Sequence, residues 1–110
     1  MTVRNGELAS WLMGAGGNIA FGVTPTNITW LVKDIRVENR DASAQEIGVY
    51  VSRPSSGVTV VLFRKTMASN ELGSVSCLVG MGTADELHLF SAAANAAVWV
   101  TGAALPGVGP

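Results

Sequence analysis

Apolar and polar residues alternate along most of this chain with a two-residue period, in short runs separated by turn residues. The clearest run is Ile28–Asn39, where Leu31, Ile35 and Val37 share one parity and Asp34, Arg36 and Glu38 the other. That pattern predicts a strand with one buried face and its charges in solvent. Lys33 falls on the apolar parity, which places it near a sheet edge or against a partner. Residues 46–52 set Ile47, Val49 and Val51 against Gly48, Tyr50 and Ser52. Residues 58–63 form a continuous β-branched and aromatic run, which predicts a strand covered on both faces.

Residues 8–13, 18–23, 72–79, 86–91 and 97–101 supply further short strands. Glycine, proline, asparagine, aspartate and serine fill the connections, notably at residues 14–17, 39–43, 53–57, 68–71 and 80–85. Alanine favours helix, so residues 92–97 offer the main local rival, but the segment is too short to stand as one. The expectation is an all-β fold, an antiparallel β-sandwich or jelly-roll-like arrangement of seven or eight short strands with extended N- and C-terminal segments. It divides into an N-terminal strand or arm over residues 1–17, the sandwich over residues 18–104 and a tail over residues 105–110.

Charge changes this picture. Only 14% of the 110 residues are charged, seven basic and eight acidic, where soluble domains run near a quarter. Beyond Glu71 the only formal charges are Asp85 and Glu86. A chain this small cannot hide all its apolar surface, and apolar surface without charge marks a contact with something else. The expectation is therefore a component of an assembly. The uncharged stretch 87–109 has the length of a membrane span, but Asn95, His88, Ser91, Thr101 and the Pro106-Gly107 break argue against one, so no membrane partner is expected. The N-terminal residues lack the long apolar core of a signal peptide. No basic patch points to nucleic acid.

Candidate chemistry is sparse. One His and one Cys cannot build a standard zinc site, so no metal and no cofactor is expected. Cys77 sits in an alternating run and reads as a small buried hydrophobe. Asp85 and Glu86 are consecutive and point to opposite faces if extended, which suits a turn and a strand start better than acid–base catalysis. His88 alternates with Leu87 and Leu89 and reads as an outward strand residue. Residues 14–17 lack the Lys-Ser/Thr of a phosphate loop. No catalytic residue is assigned. Trp30 and Tyr50 lie on the parity opposite to the apolar face of their strands, and with Trp11, Leu105 and Val108 they are the candidate interface residues.

The run Thr24-Pro25-Thr26-Asn27-Ile28-Thr29-Trp30-Leu31-Val32-Lys33-Asp34-Ile35-Arg36-Val37-Glu38-Asn39 resembles the opening of small β-sandwich structural proteins of tailed bacteriophages. Gly82-Thr83-Ala84-Asp85-Glu86-Leu87 is similar to their turn into the next strand, and Ala97-Val98-Trp99-Val100-Thr101-Gly102 to their closing strand. The resemblance implies a non-enzymatic virion protein assembled in the host cytoplasm. A capsid decoration (cement) protein comes first: a homotrimer that contacts the major capsid protein or another virion protein and stabilises the shell. A tail, neck, collar or baseplate component with a host-adhesion role is the alternative within that class. A carbohydrate-binding β-sandwich is the alternative of another class, with Trp30, Asp34 and Arg36 as a thin aromatic platform.

Overall fold

The computed structural model describes residues 4–92 and 95–106. Among these lie eight strands: β1 Arg4–Met13, β2 Gly17–Val23, β3 Ile28–Asn39, β4 Gln45–Arg53, β5 Val58–Met67, β6 Leu72–Met81, β7 Glu86–Ser91 and β8 Ala96–Pro106. The first sheet runs β1-β8-β3-β6 and the second β2-β7-β4-β5, with all neighbours antiparallel. The pairs β1/β8, β2/β7, β3/β6 and β4/β5 nest inside one another. The chain is thus one long antiparallel ribbon wound over two sheets, an eight-stranded jelly-roll sandwich. The sequence expectation of an all-β sandwich holds.

The two inner faces meet in one core. Val32, Ile35 and Val37 of β3 and Val98 and Val100 of β8 face Ile47, Val49 and Val51 of β4 and Leu87 and Leu89 of β7, all fully buried. Met67 and Met81 close the two ends of this layer, where an unbranched thioether adapts to irregular gaps. At Gly102 the backbones of β8 and β3 approach so closely that a Cβ would collide with the Leu31 carbonyl oxygen.

Three expectations need correction. Trp30 is not an outward residue: it is 9% exposed and belongs to the core. The register of β3 shifts between Val32 and Asp34 against both neighbours, with Lys33 as the extra residue facing β8. This bulge reverses the alternation, so Trp30 and Val32 face inward before it, and Ile35 and Val37 after it. Leu31, expected inside, is half-buried. Second, β5 is an edge strand, not one covered on both faces, and Val61 is 57% exposed. Third, β8 extends to Pro106, and Leu105, assigned to the tail, pairs with Thr29. The uncharged stretch weighed as a membrane span supplies β7 and β8, strands of opposite sheets.

Candidate functional site

Registry in the second sheet arranges its outward side chains in three cross-strand rows. The first holds Asn18, Phe90, Gly48 and Arg64; the second Ala20, His88, Tyr50 and Val61; the third Val23, Glu86, Ser52 and Thr59. Leu87 and Leu89 turn inward between the outward Glu86, His88 and Phe90, so β7 contributes an aromatic and polar stripe to the surface.

Gly48 leaves a gap in the first row. A Cβ built there would lie 3.5 Å from the Phe63 carbonyl oxygen and 4.0 Å from both Arg64 Cγ and Phe90 Cβ, ordinary contact distances. The gap forms the floor of a cleft of ≈ 300 Å³. Phe90, Tyr50 and Val61 line it, with Asn18, Thr59 and Arg64 supplying polar groups. Beside the floor, the rings of Tyr50 and His88 stack with centroids 5.0 Å apart and planes 12° from parallel.

Polar contacts hold these groups in place. His88 Nδ1 lies 2.9 Å from Asn18 Oδ1, and Nε2 lies 2.9 Å from Glu86 Oε1, which ties β2 to β7 and fixes the ring against Tyr50. Arg64 Nη2 donates to Glu46 Oε1 at 3.0 Å, and Arg64 also lines the cleft. Burial pushes the Tyr50 phenol above its ordinary value of 10.0, so it remains a protonated donor at neutral pH. The result is a cleft with an aromatic wall, in which Tyr50 and His88 each cover one face of the other's ring, rimmed by amide, hydroxyl and guanidinium groups. Such a cleft binds a ligand with one apolar face and a hydrogen-bonding edge.

The sequence candidates do not converge on one place. Tyr50 stands in the cleft. Trp11 is 43% exposed on the edge strand β1, and Leu105 is half-buried near the end of β8. Val108 lies outside the described residues. With Trp30 in the core, the expected Trp30, Asp34 and Arg36 platform does not form; Asp34 is on the outer face of the first sheet, accepting from Ser76 Oγ at 2.9 Å. Phe90, His88, Asn18 and Gly48 were not singled out as a site. Their signal was the outward parity of β7 and β4, but which residues became neighbours depended on the pairing.

The remaining chemistry-bearing groups have structural roles. Asp85 is 6% exposed, pairs with Arg53 at 3.2 Å and accepts from the Gly82 N–H at 3.0 Å, which anchors the turn before β7. Cys77 packs half-buried against the core, and burial, then the nearby Asp34 charge, raise its thiol above its ordinary value of 9.0.

No family model matches this sequence, and no curated protein matches it. Among solved structures it is similar to family 29 carbohydrate-binding modules. One point mutant gives a TM-score of 0.47 at 8% identity, covering 97% of this chain and 88% of that one. A second gives 0.46 at 8% identity, covering 96% and 94%. A third, solved in complex with cellulohexaose, gives 0.42 at 10% identity, covering 94% and 81%. The bound sugar is a property of that protein.

Proposed function

We propose that this protein is a non-catalytic recognition module that binds carbohydrate on the outer face of its second sheet. The observation that carries this reading is the Gly48 gap between Phe90 and Arg64, set beside the Tyr50–His88 stack. A pyranose ring is a thick disc with a C–H face and an edge of hydroxyls. Its apolar face suits the Phe90, Tyr50 and Val61 side chains that line the cleft, and its hydroxyls suit the donors and acceptors of Asn18, Thr59 and Arg64. The cleft volume lies at the small end of ligand pockets, which suits one or two sugar units.

The test is a glycan array followed by titration of the best ligand. Tyr50→Ala is expected to weaken binding about tenfold or more. Gly48→Ala raises the floor by a methyl group at ordinary contact distances, so it is expected to weaken binding while the melting temperature holds. If the array is blank, or if ligand leaves the Tyr50 and Phe90 resonances unmoved, the reading is wrong.

A second reading has its own support. Scarce charge, together with exposed Leu12, Leu72 and Leu78, favours a subunit of a larger particle, a virion decoration protein first. Particles lacking it are expected to keep their tails and lose shell stability; loss of tails or of adsorption would point to the tail alternative.

A further inference from the structure

β6 ends the first sheet, and nothing among the described residues pairs with its outer edge. Edge strands ordinarily carry lysine, proline or a bulge that discourages pairing. β6 has no charge and no proline across its ten residues, and its side chains alternate between the two faces throughout, with one register shift against β3 where Cys77 and Leu78 lie opposite Lys33. On the outer face, Leu72 is 61% and Leu78 73% exposed, with Ser74 and Ser76 between them. This Leu-Ser-Ser-Leu order reads the same in both directions about Val75.

We propose that β6 pairs antiparallel with β6 of a second copy, about a two-fold axis through Val75, joining the two first sheets into one continuous eight-stranded sheet. The symmetry makes the contact isologous, as closed dimers require. Directly opposed residues of an antiparallel pair share a face, so only registers centred on a residue preserve the inside and outside of both sheets. Centred on Val75, Leu72 faces Leu78 of the second copy and Ser74 faces its Ser76. Because Asp34 is registered beside Ser76 and Arg36 beside Ser74, each cross-strand row then runs from an acid in one copy to a base in the other. Moving the centre to Ser74 sets Arg36 in line with its own copy and Leu72 against a serine. Moving it to Ser76 does the same for Asp34. Of the three, only the Val75 register pairs leucine with leucine and serine with serine while keeping Arg36 and Asp34 out of line with the same residue of the second copy.

Sedimentation of the full chain is expected to show a monomer–dimer equilibrium, with Leu78→Lys raising the dissociation constant at least about tenfold and leaving the fold intact, since the side chain is exposed. The register is read by cross-linking in a Cys77→Ser background. An oxidised mixture of Ser74→Cys and Ser76→Cys chains is expected to give a disulfide dimer, and either variant alone is not. A wild type that remains monomeric up to about 1 mM overturns the proposal. So does a trimer, a dimer indifferent to Leu78→Lys, or equal cross-linking by single variants. None of these outcomes depends on whether the cleft binds sugar.

Discussion

Asn39 joins the end of β3 to the start of β4 and the end of β5. Its side chain is fully buried, and the two N–H groups of Nδ2 are shared among the carbonyls of Ser43, Met67 and Ala68, each at 3.0 Å. Its Oδ1 accepts from the Asp41 N–H at 3.0 Å and from Gln45 Nε2 at 2.9 Å, and Gln45 in turn accepts from Ser91 Oγ at 2.7 Å. One amide therefore ties the β3–β4 turn to the end of β5 and the start of its turn into β6. A buried carbonyl stripped of its donor costs about 1–3 kcal/mol, and a connected network multiplies that. Asn39→Ala is expected to destabilise the fold by about 3 kcal/mol or more, whereas Ser69→Ala, whose hydroxyl donates to the Asp41 carbonyl at the exposed surface, is expected to cost under about 1 kcal/mol. Thermal unfolding of the two variants measures the contrast.

At the scale of the element, β3 decides which aromatic reaches solvent. Its bulge at Lys33 lets Trp30 and Ile35, five positions apart, both face the core. Deleting Lys33 leaves Trp30, Val32, Ile35 and Val37 in regular alternation and makes the pairing with β8 continuous, because Gly102 and Thr101 are already consecutive partners of Val32 and Asp34, while Cys77 and Leu78 of the edge strand β6 must bulge outward. Deleting Arg36 instead sends either Val37 or the residues before it to the wrong face, since a one-residue slip inverts every side chain beyond it. The Lys33 deletion is expected to fold with dispersed NMR signals, and the Arg36 deletion is not. Equal loss of structure in both would show that the bulge does not set the facing of β3.

For the whole molecule, the two proposals meet in one geometry. A two-fold axis relating antiparallel edge strands stands perpendicular to their sheet, so both second sheets of the dimer face the same way. Two clefts would open toward one surface, each near the shared side because β5 and β6 are the edges there. On a glycan-coated surface the dimer is then expected to bind at least about 100-fold more tightly than its single site binds free sugar. Leu78→Lys is expected to lose that gain and retain single-site affinity. Surface plasmon resonance at low and high ligand density distinguishes the two; a gain that survives Leu78→Lys would separate avidity from this dimer.

Local chemistry in the chain was sufficient for the strands and turns. Residues 28–39 and 86–91 coincide with β3 and β7, because alternation and turn propensity act over a few neighbouring residues. The sandwich class followed from the number and spacing of those strands. Tertiary pairing decided the rest. Alternation within residues 28–39 cannot show a bulge that exists only against β8 and β6, so it places Trp30 outward, and the continuous apolar run of residues 58–63 cannot show that β5 ends its sheet. The cleft has the same origin. Asn18, Gly48, Arg64 and Phe90 are remote in sequence and form one row only when β2, β7, β4 and β5 align. A period along one strand states which face a residue takes, while the neighbours on that face are set by register between distant segments.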